Sequence, residues 1–102
     1  MKNRRKTGAE YERKTAEYLE RLGWKILERN YRCRTGEIDL IARDGRTLVF
    51  VEVKYRRSRA YGNPAEAVDG RKQHTICRVS YYYRLTHEIS EGQPCRFDVA
   101  WI

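Results

Sequence analysis

Gly36–Lys54 reads G-E-I-D-L-I-A-R-D-G-R-T-L-V-F-V-E-V-K, two apolar runs punctuated by Glu37, Asp39, Glu52 and Lys54. Carboxylates set among valines and isoleucines are costly to bury unless something pairs with them. Three acids within reach of one another make a set of hard oxygen donors, and the partner that suits such a set is a divalent cation, bound at about 2.0–2.1 Å if it is Mg²⁺. The alternative is a solvated amphipathic hairpin whose acids and lysine are ordinary surface charges.

Which of these holds depends on how the two runs meet. Asp44-Gly45 between alternating apolar residues is a strong hairpin signal, because the turn needs positive φ values that Asp and Gly tolerate. With those two residues as the loop, Ala42 opposes Thr47, Leu40 opposes Val49 and Ile38 opposes Val51. Side chains alternate along a strand. One face then carries Ile38, Leu40, Ala42, Thr47, Val49, Val51 and Val53, a core face. The other carries Glu37, Asp39, Ile41, Leu48, Phe50, Glu52 and Lys54, with its charges gathered at the end away from the turn. Glu37 lies opposite Glu52, and Asp39 lies diagonal to it at roughly 7–8 Å between backbones. Like charges so placed destabilise a hairpin, and a cation between them would reverse the penalty.

The rest of the chain must position this segment. Its 102 residues, with 2 prolines and no repeat, suit a single domain, 1–102, with a modest core. No apolar run is long enough to span a membrane, and no hydrophobic region follows the basic N-terminus, so neither a membrane segment nor a secretory leader is expected. Cys33, Cys77 and Cys95 are odd in number and widely spaced, which argues against a zinc site or a disulfide framework and for a cytoplasmic setting. The formal net charge is +8, and 16 of the 22 basic residues are arginine. Arginine's planar fork fits phosphate oxygens, so the excess suits a nucleic-acid partner; a generic solubilising surface is the plainer reading.

Met1–Lys6 reads as a basic arm. Thr7 or Gly8 opens a helix running to Leu22 and ending at Gly23. On a helical wheel Ala9, Ala16, Leu19 and Leu22 form an apolar face with Tyr11 and Tyr18 at its edge. Glu12 falls inside that face and Glu10 opposite it. Glu12 is therefore either a side chain snorkelling at an edge or part of a site. Trp24–Asn30 reads as a first strand leading into a basic turn, Tyr31–Thr35. Tyr55–Asn63 interleaves Arg56, Arg57 and Arg59 with Tyr55 and Tyr61, an arrangement suited to phosphates and bases and equally to a soluble loop. Pro64 suits a first helical turn, and helix continues to Leu85 with a break at Gly70. Ile76, Val79 and Tyr83 share one side of it, and Lys72 and Gln73 stand near its start. His74 and His87 lack a partner in sequence and read as surface residues. Ser90–Pro94 is a turn and Cys95–Ile102 a last strand. The order is α-β-β-β-α-β, an α/β domain with helices against a mixed sheet.

Asp39 followed on the next strand by Glu52-Val53-Lys54 resembles the D…(D/E)-x-K signature of the restriction-endonuclease-like nuclease superfamily, PD-(D/E)XK. The surrounding text is more specific: Gly8, Glu12, Ala16, Leu19 and Gly23 along the first helix, G-E-I-D-L-I…V-F-V-E-V-K, R-K-Q-H at the start of the later helix, and C-R-F-D-V in the last strand. Together these resemble the YraN-like family of uncharacterised bacterial proteins, which in arrangement is similar to archaeal Holliday-junction resolvases, over Thr7–Ile102. The resemblance implies a restriction-endonuclease-like core and a metal-dependent endonuclease acting on DNA, branched or otherwise structured. It implies that Asp39, Glu52 and the main-chain carbonyl of Val53 bind Mg²⁺ (or Mn²⁺), with Glu12 completing the site and Glu37 adding a ligand or tuning the others. Lys54 would orient or activate the attacking water, while Lys72 and Gln73 would contact the scissile phosphate. A homodimer is expected by analogy with the resolvases. The chain departs from that family in stopping directly after the last strand, where other members continue. The alternative from another class is a non-catalytic nucleic-acid-binding protein on the same scaffold, and a third is a basic RNA- or ribosome-associated protein with structural acids.

Overall fold

The structure is a computed structural model that describes residues 4–54 and 70–102. Its elements are α1 (Arg4–Arg21), β1 (Lys25–Cys33), β2 (Gly36–Asp44), β3 (Thr47–Lys54), α2 (Gly70–Thr86) and β4 (Cys95–Trp101). The sheet order is β1-β2-β3-β4. β1 and β2 pair antiparallel, as do β2 and β3, while β4 joins β3 in parallel. This is the α-β-β-β-α-β order and the mixed sheet read from the sequence. Parallel neighbours cannot be joined by a tight turn, and α2 lies within the β3–β4 connection.

Helix α1 begins at Arg4, before the expected Thr7. Arginine and lysine are good helix formers, so a basic arm does not by itself stop a helix. The C-terminal end falls where the glycine put it. Gly23 has φ +95, its N–H donates to Glu20 O at 3.0 Å, and Trp24 N–H donates to Leu19 O at 3.0 Å. This pair of bonds satisfies carbonyls that the helix leaves open. Leu22, expected on the apolar face, is instead 56 % exposed, because that reversal carries it out of the helix and off the sheet. Strand β1 likewise runs on to Cys33, through part of the segment read as a turn.

The hairpin turns on Gly45 and Arg46, not on Asp44 and Gly45, for Asp44 pairs with Thr47 and Leu40 with Val51. Gly45 takes φ +60 at the first loop position, the place a two-residue turn of the II′ kind reserves for glycine. Asp44 stays in the strand, where its carboxylate accepts from Arg96 on β4 at 3.0 Å. A slip of one residue would invert every side chain, whereas this slip of two preserves the faces.

Both faces of the hairpin are core, not one. Ala16 and Leu19 of α1 pack with Leu40, Val49 and Val51. On the other side Ile76, Val79 and Tyr83 of α2 pack with Ile41, Leu48 and Phe50. Tyr83 meets Tyr31 and Phe50 edge-on at centroid distances of 5.1 and 6.1 Å, a favoured aromatic geometry. Close approach of α2 to the β1–β2 turn requires glycine at position 36, where a Cβ would stand 2.7 Å from Thr75 Cγ2. Ile38 departs from the expected alternation: it packs in the α2 cluster while Leu40, two residues on, packs in the α1 cluster. Residues two apart on a regular strand share a face, so β2 is irregular between them, at Asp39. Among the described residues no helix is long and apolar enough to cross a membrane.

Candidate functional site

The irregularity in β2 is where the acids gather. The β2–β3 ladder stops at Leu40 and Val51. Beyond it the Asp39 side chain takes over the pairing, its Oδ2 accepting the Val53 N–H at 2.8 Å. A local break of this kind re-aims a side chain, as β-bulges beside active sites do. The same register carried one step further sets Asp39 level with Glu52, correcting the diagonal placement, and Glu37 no longer faces Glu52. Glu37 turns to β1 instead, where Arg32 Nε lies 3.1 Å from its Oε2 on an exposed edge.

Glu12 reaches the break from α1. It is half-buried and Glu10 is exposed, as the wheel placed them. Burial, followed by the negative charge of Asp39 beside it, pushes the Glu12 carboxyl from 4.5 up to about 7. Glu52, only 5 % exposed, is turned toward α2. Its Oε1 lies 2.9 Å from Lys72 Nζ and 3.7 Å from Lys54 Nζ. Burial pushes the Glu52 carboxyl up against the pull of Lys72. Partial burial opposes the charge on Lys72, but Glu52, with Asp39 and Glu37 behind it, outweighs that and holds the ammonium above its ordinary value.

Glu12, Asp39, Glu52, Lys54 and Lys72 therefore meet at one end of the sheet, from α1, β2, β3 and α2. Glu37 stands at the rim. Gln73 is exposed on the first turn of α2, and Arg56, Arg57, Arg59 and Tyr61 lie outside the described residues. Among the described residues no three of Asp, Glu, His and Cys stand close enough together to hold a metal ion as they are. The reason is visible in the contacts: Glu52 faces two ammonium groups rather than the Glu12–Asp39 pair, and one Asp39 oxygen is spent on a backbone amide. In chemical type the donors are carboxylates and a peptide carbonyl at Val53, which fit Mg²⁺ or Mn²⁺ and not a thiolate-seeking ion. The negative charge that Asp39 sets beside Glu12 is also one that a cation would relieve. Sequence reasoning missed the positive φ of Asn30, which it treated only as the end of a strand; the available signal was an asparagine inside a β-run, a residue depleted from strands and tolerant of positive φ.

The acid pair has a measurable cost. Below the ordinary carboxyl value both folded and unfolded Glu12 hold their proton. As pH rises past 4.5 the unfolded chain gives its proton up while the folded chain keeps it until about 7, so the folded state loses stability across that window and the deficit is complete above it. Glu12→Gln is expected to stabilise the protein at about pH 8 by on the order of 1 kcal/mol, after discounting for the solvent that reaches this group, and to leave stability unchanged at about pH 4. Urea unfolding at the two pH values measures the difference.

The model of the uncharacterised protein family UPF0102 matches residues 11–102 of this chain. A UPF0102 protein of Symbiobacterium thermophilum is 53 % identical over 95 residues, which cover 93 % of this chain and 80 % of that protein. One of Lachnoclostridium phytofermentans is 48 % identical over 97 residues, 95 % of this chain and 82 % of that protein. Another, of Syntrophus aciditrophicus, is 53 % identical over 94 residues, 92 % of this chain and 73 % of that protein. The family match takes in the helix glutamate, both acidic strands and the lysine of α2, and on that breadth the chain belongs to the uncharacterised protein family UPF0102.

Proposed function

We propose that this protein is a metal-dependent endonuclease with a restriction-endonuclease-like core, hydrolysing phosphodiester bonds in DNA that is branched or otherwise structured. The observation that carries the reading is the meeting of Asp39, Glu52 and Lys54, the D…E-x-K set, with Glu12 of α1 at the break in β2. Glu12, Asp39, Glu52 and the Val53 carbonyl would hold Mg²⁺ or Mn²⁺, which when bound supplies charge neutralisation at phosphate and an acidified water. Lys54 would orient the attacking water and stabilise negative charge developing on the phosphoryl oxygens. The water oxygen would bond to phosphorus and give up a proton to solvent, while the bond to the leaving oxygen breaks and that oxygen takes a proton from solvent. Lys72, paired with Glu52 at 2.9 Å, would meet the scissile phosphate, and Glu37 would tune the site from its rim. DNA is the partner that an arginine-rich surface suits, and a homodimer in the cytoplasm belongs to the same reading.

One observation favours a second reading, a nucleic-acid-binding protein that does not cut. Glu52 is already neutralised by two lysines, as a purely structural acid would be. Incubation with plasmid, single-stranded and four-way-junction DNA in Mg²⁺ or Mn²⁺, beside Asp39→Ala, separates the two. Metal-dependent cleavage lost in the variant is the expected result. No cleavage of any substrate, with DNA affinity equal in both proteins, would leave only the binding reading standing.

A further inference from the structure

Helix α2 starts beside the acids, and the loop that follows it closes on the β2–β3 turn at the other end of the sheet. Loop and turn are braced together. Leu48 N–H donates to Pro94 O at 2.9 Å, and the Gln93 side-chain amide donates to Arg46 O and, at 3.1 Å, to Pro94 O. Ser90 Oγ accepts the Gly92 N–H at 3.2 Å, which leaves its hydroxyl proton to donate elsewhere. Between loop and turn lies a cleft of about 560 Å³, whose lining includes Arg43, Arg46, Ser90 and Gln93. Its charge is one-sided. Arg43 and Arg46 are exposed, and among the described residues neither forms an ion pair. The neighbouring acids are occupied elsewhere: Asp44 accepts from Arg96 at 3.0 Å, and Glu28 faces His87 at 3.9 Å. Glu91 stands exposed in the loop without lining the cleft. Lys25 on β1 pairs with Arg43 on β2, and residues so opposed point the same way. Like charges opposed on a sheet are destabilising, and an anion held by Arg43 would relieve them.

Two unpaired guanidinium forks and a hydroxyl on a braced loop suit the oxygens of a phosphate group. We infer that this cleft binds a backbone phosphate of nucleic acid through Arg43, Arg46 and Ser90, at the end of the sheet away from the acids. The inference rests on the nucleic-acid part of the reading proposed above and not on the metal site. Arg96, the third arginine at this end, is spent on Asp44 and Asp98 and belongs to the fold. Arg43 follows Asp39 along β2 at roughly 13 Å, which is about four base-pair steps of duplex. A duplex held at the acids is thus long enough to reach the cleft.

The test is fluorescence anisotropy of labelled duplex and four-way-junction DNA on the full chain in EDTA, so that no metal enters, repeated between about 50 and 200 mM salt. Arg43→Gln with Arg46→Gln is expected to bind about 10-fold or more weakly, and the slope of log affinity against log salt to fall by about 1–2. A charge-matched control, Arg13→Gln with Arg29→Gln, removes two arginines already paired with Glu17 and Glu20 and is expected to stay within about 3-fold of wild type. The cleft variant should melt no lower than wild type, because the repulsion between Lys25 and Arg43 is gone; a marked fall would make the two arginines structural and overturn the inference. Equal weakening in the two double variants, or unchanged DNA affinity in the cleft variant, overturns it alone. So does inorganic phosphate if it raises the Tm of wild type and not of the cleft variant while both bind DNA equally, which would make the cleft a site for free phosphate. Absence of DNA binding by wild type overturns the inference together with the nucleic-acid reading beneath it.

Discussion

Lys54→Met is expected to slow metal-dependent DNA cleavage by about 100- to 1,000-fold, with DNA affinity staying within a few-fold of wild type. Methionine keeps the apolar stem of the side chain and loses its charge. The fold should survive the change, because Glu52 retains the nearer of its two cations, Lys72 at 2.9 Å, when the one at 3.7 Å is removed. On the proposed mechanism Lys54 acts on charge that develops only as the phosphate is attacked, so its loss belongs in kcat. Single-turnover cleavage of a labelled substrate, beside a binding titration of the same DNA, reads the two quantities separately. Equal loss of binding and cleavage would make Lys54 a DNA-contact residue instead.

The largest effect on stability is expected at Leu40. Leu40→Ala should cost about 3–5 kcal/mol, a large part of the 5–15 kcal/mol that holds a domain of this size together, and lower the Tm by roughly 15–25 °C. Leu40 is fully buried, with Ala16 and Leu19 of α1 and Val49 and Val51 of β3 around it. A cavity there opens between helix and sheet, where neither can close on it without dragging the other. The same substitution at Leu22, 56 % exposed, should stay within about 0.5 kcal/mol. Thermal melts of the two variants test this directly. The comparison is sharp because a helical wheel puts Leu22 on the same apolar face as Leu19, and only the reversal at Gly23 takes it away.

The order of elements was legible because each announces itself locally: Gly23 ends a helix, β-branched residues fill the strands, and Ile76, Val79 and Tyr83 recur at helical spacing. The sharing of faces was legible for Leu40–Asp44 and Thr47–Val51, where it survived a wrong choice of turn because a slip of two residues preserves parity, but not for Ile38, which packs on the α2 side. Glu12 was separable from Glu10 because the helical period is local. What could not be read from local pattern were the contacts between segments distant in the chain. Arg96 on β4 keeps Asp44 in its strand, which moves the turn to Gly45 and Arg46 and brings Asp39 level with Glu52. Lys72, from the helix that follows β3, takes the carboxylate that the strand pattern alone would have given to a metal.

Alternation likewise treats β2 as regular, and its break at Asp39 depends on Asn30 and Val53 in the neighbouring strands. Periodicity records which way a side chain points along one element, and so residue types alone were enough to bring three acids and a lysine to one end of a hairpin. Partners depend on packing between elements. Desolvation and charge at the site are sums over neighbours from α1, β1, β2, β3 and α2, and only the folded chain sets their distances.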